Sequence, residues 1–274
     1  MAKQPSTAVA TTDSPSQLPA NPGQNFEAYA GAGMENVTAS DLLVPRIAVL
    51  QQLSPQLNKT KPEHIPGAEL GMIADLGTGE VFKDGIIYLP VYFRKDYLEW
   101  APRASGKGLV KVHTDPAVMD SAKRNDKNQP ILANGNLIAE TAQWFGMILS
   151  TSDRRKCFIP LTSTQLKVSR RWMSLATGEK LKRADGSEFT APLFYRTYHM
   201  TTATASNNQG EWGVFKVERG KSLPEYCSEF GINEKDLIDE ALKFRDSVMK
   251  GETKADTRGM EASAEEAHPA GEKM

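Results

Sequence analysis

The segment 162–176 carries three cations at the spacing of one helix face. Lys167, Arg170 and Arg171 lie three and four residues apart, so an α-helix would present them side by side. Ammonium and guanidinium groups in such a row bind successive phosphates of a nucleic-acid backbone, because each contact releases counterions without reading a base. The spacing therefore predicts a phosphate-binding helix face. The alternative is a solvated helix that buries only its tryptophan, Trp172.

Other cations of the middle segment occur in clusters, and aromatic residues lie between them. Aromatic rings on an open sheet face stack on the bases of single-stranded nucleic acid, at about 1–3 kcal/mol per base. Tyr97 and Trp100 are predicted to be exposed rings of this kind. The complete predicted nucleic-acid-binding set is Arg94, Tyr97, Trp100, Arg103, Lys107, Arg154, Arg155, Lys156, Lys167, Arg170, Arg171, Lys182, Arg183 and Arg196. Within this set, one groove for the strand is predicted to be lined by Arg94, Arg103, Lys107, Arg154, Arg155, Lys167, Arg170 and Arg171.

The overall charge conceals a basic middle segment. The formal net charge is −1. Residues 83–221 hold 22 lysines and arginines against 13 acids, whereas residues 1–82 hold four against eight and residues 222–274 hold seven against 13. The position of charge, more than its total, decides the electrostatic field that a partner meets. The middle segment is therefore predicted to attract a polyanion.

Motifs for catalysis, metal ions or cofactors are weak in this sequence. The four histidines are scattered, and none has the H-E-x-x-H or H-x-x-x-H spacing of a metal site. Cys157 and Cys227 form no C-x-x-C pair, and the chain has no G-x-S-x-G or phosphate-loop motif. We therefore expect a protein that is not an enzyme and that has no cofactor or bound metal. A metal-dependent nuclease stays open as an alternative, because four acids could assemble in the fold: Asp84, Asp96, Glu99 and Asp120.

Hydrophobic alternation predicts a β-rich fold of the α+β class. Pro90 lies inside one apolar run and predicts a bulge or a sheet edge, because proline has no N–H for the ladder. The segment 114–135 is predicted to be a long loop, 162–176 a helix, and 223–249 two helices broken at Gly231. The predicted strands are 71–76, 86–93, 97–103, 109–113, 137–149, 156–161, 193–203 and 212–217.

These elements predict one bent sheet with helices packed on it. We expect a strongly bent antiparallel sheet or an OB-like barrel, with the 162–176 helix packed across it and a C-terminal helical cover. The predicted organisation is a disordered tail at 1–25, a single β-rich nucleic-acid-binding domain at 26–250 and a disordered acidic tail at 251–274. No apolar window is long enough for a membrane helix, and the first residues lack the apolar core of a signal peptide. The sequence thus predicts a cytoplasmic protein with no membrane partner.

Several blocks of the sequence resemble one family of phage proteins. The blocks are Asn36–Leu42, Pro45–Ile47, Ser54–Gln56, Gly71–Ile73, Gly85–Arg94, Tyr97–Trp100 and, most specific of all, Ser163–Trp172. Together they resemble a family of tailed-bacteriophage proteins encoded among replication genes and commonly described as single-stranded DNA-binding proteins. The resemblance implies a small-barrel or OB-like core, the host-cell cytoplasm as location, and partners such as a phage polymerase, helicase or recombinase.

The combined expectation is non-enzymatic binding and protection of single-stranded DNA, with low sequence specificity, during phage DNA replication or recombination. Two alternatives remain beside it. The same basic face could serve a protein-interaction module, such as a scaffold or an inhibitor of a host factor, and the scattered acids could serve a metal-dependent nuclease. The residues leave the oligomeric state open, a homo-oligomer included.

Overall fold

The chain divides into two units, Met1–Thr38 and Ala39–Met274, and the fold described below belongs to the second. The predicted tail at 1–25, and residues 257–274 of the predicted acidic tail, lie outside the described residues. No helix in the described ranges is long and apolar enough to cross a membrane. The computed structural model describes residues 32–33, 35–36, 43–126, 128–207 and 210–256. Of Arg103, Asn207 and Lys254 it describes the backbone only.

The described part of the chain forms fifteen strands and four α-helices. The strands are β1 (Leu43–Val44), β2 (Ile47–Val49), β3 (Ile73–Asp75), β4 (Val81–Phe82), β5 (Ile86–Trp100), β6 (Leu109–His113), β7 (Lys123–Arg124), β8 (Pro130–Ile131), β9 (Leu137–Ile148), β10 (Lys156–Thr162), β11 (Lys180–Lys182), β12 (Glu188–Thr190), β13 (Arg196–Asn207), β14 (Gly210–Ser222) and β15 (Lys254–Ala255). The helices are α1 (Ala117–Asp120), α2 (Leu166–Thr177), α3 (Leu223–Phe230) and α4 (Glu234–Met249).

β5 is the central strand of a curled antiparallel sheet of eight strands. The sheet has the order β14-β13-β5-β9-β8-β7, with β6 also paired to β5 and β10 also paired to β9. β9 pairs with β5 from Tyr88 to Trp100, while β13 pairs with the start of β5 and β6 with its end. The register shifts between Pro90 and Tyr92, which confirms the bulge predicted from Pro90. The sheet is a half-barrel consistent with an OB-like architecture, so the predicted β-rich α+β fold is confirmed.

The sheet separates two apolar cores, because the side chains of a strand alternate between its faces. On one face Tyr88 and Trp144 pack with Trp172 of α2. On the other face Phe145 of β9 packs in one cluster with Leu237 of α4 and with residues of α3. Helices therefore cover both faces, and the predicted C-terminal helical cover is confirmed.

α2 closes the open side of the half-barrel. It contacts β14 on one side of β5, and β9 and β10 on the other. The indole of Trp172 stacks on that of Trp144, with 3.8 Å between ring centroids and 7° between planes. Trp144 Nε1 donates a hydrogen bond of 2.9 Å to Oγ of Ser169 on α2. The edges of Tyr88 and Tyr198 meet Trp172 at centroid distances of 5.7 and 5.4 Å, so an aromatic cluster fixes the helix to the sheet.

The last two helices begin and end at residues suited to those positions. Ser222 and Glu225 form a capping box at the start of α3. Gly231 follows α3 in the left-handed conformation, at a φ of 63°, which glycine adopts without strain. The predicted break at Gly231 is therefore confirmed. Oδ1 of Asn233 then caps α4 by accepting a 3.0 Å hydrogen bond from the backbone N–H of Lys235.

Several predicted boundaries differ from the structure, and three of the differences change how an element is interpreted. The predicted strands 86–93 and 97–103 merge into one continuous β5 that ends at Trp100, because the charged residues 94–96 alternate between the faces of the sheet and do not interrupt it. The predicted loop 114–135 contains α1 and the short hairpin of β7 and β8. The predicted tail does not begin at 251, because β15 pairs in parallel with β1.

We predict that Trp172→Ala lowers the free energy of unfolding by about 3–5 kcal/mol, because the loss of a fully buried indole leaves a cavity beneath α2. Chemical denaturation followed by circular dichroism measures this change. Trp172→Phe is the control, since it keeps a ring against Trp144 and is expected to lose less. Equal losses for the two variants would show that the ring stack does not hold α2 on the sheet.

Candidate nucleic-acid interface

The outward face of α2 carries Lys167, Arg170 and Arg171, here called the α2 surface. All three side chains are exposed, whereas Ser169 and Trp172 are buried against the sheet. The helix turns the three cations to one side, as their spacing predicts. Within the described part of the chain, none of the three forms an ion pair or a side-chain hydrogen bond. Their positive charge therefore faces solvent without internal neutralisation.

The predicted site residue Arg196 holds the C-terminal end of α2. Its Nε and Nη2 donate to the two carboxylate oxygens of Glu179 at 2.9 and 2.6 Å, and these hydrogen bonds lower the pKa of Glu179. Arg219 Nη2 donates to the carbonyl oxygen of Leu175 at 2.9 Å, so a second arginine stabilises the helix end. Arg196, which is in the predicted nucleic-acid-binding set, thus has its guanidinium engaged in an internal ion pair.

Arg155 belongs to a second internal network. Its Nη1 donates to Asp75 Oδ2 at 2.9 Å and to Glu80 Oε2 at 2.6 Å. Its Nε donates to Asp153 Oδ2 at 3.2 Å. Asp75 is fully buried, so the guanidinium compensates a carboxylate that water does not reach. The prediction of Arg155 as a groove residue is corrected, because three carboxylates of the chain hold it between β10 and β3.

Arg154 and Lys156 lie beside the helical cover. Their side-chain nitrogens are 3.4 and 3.9 Å from the carboxylate oxygens of Glu240 on α4. α4 packs on the face of the sheet opposite α2. The two cations therefore do not share a surface with the α2 cations, contrary to the predicted single groove.

Arg94 also points to the face of the sheet that α4 covers. Its guanidinium lies over the ring of Phe145, 5.2 Å from the centroid, and its Nε donates to Asp96 Oδ2 at 2.9 Å. Asp96 is fully buried, and burial raises its pKa while Arg94 opposes that rise. Arg94 is thus the partner of a buried acid, which corrects its prediction as a groove residue.

The expectation that Tyr97 and Trp100 are exposed rings is wrong. They are 7% and 5% exposed. Trp100 packs with Leu98 and Leu109 in a separate apolar cluster at the end of β5. β5 is flanked there by β6 and β9, so these rings are core residues and offer no stacking platform.

Three further predicted cations are exposed outside α2. Lys107 lies in the turn between β5 and β6, and Lys182 and Arg183 lie in the β11–β12 hairpin that follows α2. Arg183 packs over the ring of Phe189, 4.9 Å from its centroid. The side chain of Arg103 lies outside the described residues. Among the predicted cations, the α2 surface places three exposed side chains on one helix face without acid partners in the described structure.

A cavity of about 230 Å³, here called the α2 cavity, lies between the N-terminal end of α2 and strands β8 and β9. Arg170 belongs both to the α2 surface and to this cavity, and Arg124 of β7 joins it there. Arg124 is absent from the predicted set, because it lies in the segment predicted to be a loop. No pattern in the sequence around it indicates that it lies close to α2 in the fold. The lining residues are Met119, Arg124, Pro130, Ile138, Ala139, Glu140, Thr162, Ser163, Leu166 and Arg170.

The acids of the nuclease alternative are dispersed. In the residues that the structure describes, no group of three or more His, Cys, Asp or Glu could hold a metal ion. Glu99 Oε1 accepts hydrogen bonds from Nδ2 of Asn136 at 2.6 Å and of Asn134 at 2.8 Å, and Oε2 lies 2.7 Å from His113 Nε2. These contacts, with the Asn136 bond the strongest, lower the pKa of Glu99 to about 2. Glu99 therefore ties β6 and the loop before β9 to β5.

A known family matches most of the chain. The sequence model of the Pam3 phage gp34-like protein family matches residues 16–254. The chain belongs to this family. The matched residues include the half-barrel and all four described helices. The match confirms the part of the resemblance that makes this chain a phage protein. No curated protein and no solved structure matches the chain.

We predict that Arg155→Gln lowers the free energy of unfolding by about 3 kcal/mol, because it leaves the buried carboxylate of Asp75 without its counter-charge. Arg171→Gln is the matched control, since the same substitution on the exposed α2 surface should change stability by less than about 0.5 kcal/mol. Urea denaturation of both variants gives the comparison. A similar small loss in both would mean that the Arg155 network does not stabilise the fold.

The stability contributed by Glu99 should depend on pH. Because its folded-state pKa of about 2 lies below the ordinary value of 4.5, the ionised carboxylate favours folding above pH 4.5, and this contribution disappears as pH falls towards 2. The wild-type protein should thus be more stable than Glu99→Gln near neutral pH, by about 2 kcal/mol, and the difference should narrow in acid. Denaturation of both proteins at a series of pH values measures the difference. Glu211→Gln, at an exposed position, is expected to show no such trend.

Proposed function

We propose that this phage protein binds and protects single-stranded DNA without catalysing a reaction, and that phosphates of the strand contact the α2 surface. The observation that carries the proposal is the exposure of Lys167, Arg170 and Arg171 on one face of a firmly packed helix, without an acid partner among the described residues. Such cations exchange their counterions for phosphates, which is the main source of affinity in non-specific nucleic-acid binding.

The shape of the region favours a single strand over a duplex. The cations at this place lie on a short helix and around the mouth of the α2 cavity, where Arg124 and Arg170 are both lining residues. A single strand is flexible enough to follow such a curved surface. Duplex DNA, with a persistence length of about 50 nm, is stiff on this scale and would reach only the outermost side chains.

Contacts made to phosphates supply low sequence specificity, because they carry no information about the base. The rings predicted for stacking, Tyr97 and Trp100, are buried, so charge is expected to supply more of the affinity than stacking does. Binding should then weaken steeply as salt is added. Because the chain belongs to a phage protein family, the strands that it would cover are those of phage replication or recombination, where a polymerase, helicase or recombinase would share the same DNA.

We predict that the triple variant Lys167→Glu, Arg170→Glu, Arg171→Glu binds oligo-dT more weakly and with less salt dependence than the wild type. The loss of three phosphate contacts should reduce the slope of log K against log salt by about 2, at roughly 0.7 per contact with a single strand. Fluorescence anisotropy of labelled oligo-dT over a range of salt concentrations measures both the affinity and the slope.

The matched control reverses three exposed lysines on or beside α4, which packs on the opposite face of the sheet: Lys235→Glu, Lys243→Glu and Lys250→Glu. The net charge changes by the same amount in both triples. The control should retain the wild-type slope. Equal effects of the two triples would mean that overall charge drives binding, and no binding of oligo-dT at low salt would reject the function. Retention of acidic proteins by nuclease-treated wild type, without DNA binding, would favour the protein-interaction alternative.

A further inference from the structure

We propose that the α2 cavity receives one base of the bound strand and favours bases that carry an exocyclic amino group. The inference rests on the proposed binding of single-stranded DNA at the α2 surface, and it names what the adjoining cavity takes. Arg170 connects the two regions, because it lies on the α2 surface and also lines the cavity. A strand whose phosphates follow α2 therefore passes the mouth of the cavity.

The volume of the cavity fits a single base. Its volume of about 230 Å³ is smaller than the roughly 300–1,000 Å³ of pockets that hold drug-sized ligands. Single-stranded nucleic acids are recognised through unstacked bases that turn away from their neighbours into protein pockets. One base enters such a space, whereas the sugar and phosphates stay at the rim.

The walls of the cavity suit the two faces of a flat ring. Leu166 at the start of α2, Met119 and Pro130 are half-buried and supply apolar surface. Ile138 of β9 also borders the cavity but is fully buried, so it belongs to the core of the sheet that supports this wall. Apolar contact with the ring faces replaces the stacking that the base loses when it leaves its neighbours in the strand.

The rim of the cavity is cationic. Arg124 and Arg170 both line it. Nη1 of Arg124 donates a 2.6 Å hydrogen bond to the backbone oxygen of Asn128, which holds the guanidinium, and its other N–H groups have no partner among the described residues. Two arginines at the mouth match the phosphates on either side of an inserted nucleotide.

Glu140 gives the cavity its preference among bases. Lys95 Nζ lies 2.7 Å from Oε1 of Glu140, so the charge of the carboxylate is partly compensated. Oε1 is buried, whereas Oε2 is left to accept a hydrogen bond, since no described residue donates one to it. The N4 amino group of cytosine can donate to this oxygen, whereas thymine presents the O4 acceptor at the same position and would leave two acceptors facing each other.

The test compares oligo-dC with oligo-dT of equal length in an anisotropy competition assay at one salt concentration. The wild type should bind oligo-dC about five- to tenfold more tightly than oligo-dT. In Glu140→Gln, the amide offers both a donor and an acceptor, so the ratio of the oligo-dC affinity to the oligo-dT affinity should fall towards one. The variant should bind oligo-dT at least as tightly as the wild type does. Leu166→Trp fills the cavity and should also abolish the preference, with circular dichroism checking that each variant folds.

The outcomes separate this inference from the proposed function. Equal binding of the two oligonucleotides by the wild type, together with weaker binding by the α2 triple variant, would reject the base cavity and leave single-stranded DNA binding intact. A preference for oligo-dC that survives in both cavity variants would also reject it, because the base would then be read elsewhere. If neither oligonucleotide binds the wild type, both proposals fail.

Discussion

The stack of Trp172 on Trp144 is the contact on which the rest of the arrangement depends. Successive residues of an α-helix are rotated by about 100°, so the direction of one buried side chain decides the direction of all the others. With the indole of Trp172 held inward by Trp144, Tyr88 and Tyr198, the cations at 167, 170 and 171 must point outward. The same stack brings the first turn of α2 against β9, where the cavity forms. The position of the candidate interface is thus a consequence of core packing.

The basic excess of the middle segment serves two separate purposes. Arg94 and Arg155 compensate the fully buried carboxylates of Asp96 and Asp75, and Arg196 binds Glu179 at the end of α2. These cations hold elements together, and their charge is largely cancelled inside the fold. The cations of α2 hold no other element among the described residues, so their charge contributes to the field at the surface. A net charge counted along a segment therefore overstates the charge that the surface presents.

Local patterns predicted the elements well, and they predicted the contacts between distant elements poorly. The bulge at Pro90 and the break at Gly231 follow from the backbone chemistry of single residues, and the outward face of α2 follows from helical spacing alone. Two of the three carboxylates that hold Arg155, those of Asp75 and Glu80, lie 80 and 75 residues earlier in the chain, so no local spacing reveals them. The burial of Trp100 likewise depends on strand pairing on both sides of β5, which the sequence around it does not disclose.

The parallel pairing of β1 with β15 joins the two ends of the described domain. Leu43 pairs with Lys254, and almost the whole described chain forms the loop between them, so closing this contact costs more conformational entropy than closing a hairpin. Each strand is only two residues long, and neither belongs to the half-barrel sheet. Val44 of β1 and Ala255 of β15 both pack on the apolar core beneath α4, so this long-range closure depends on core burial as well as on its short backbone ladder.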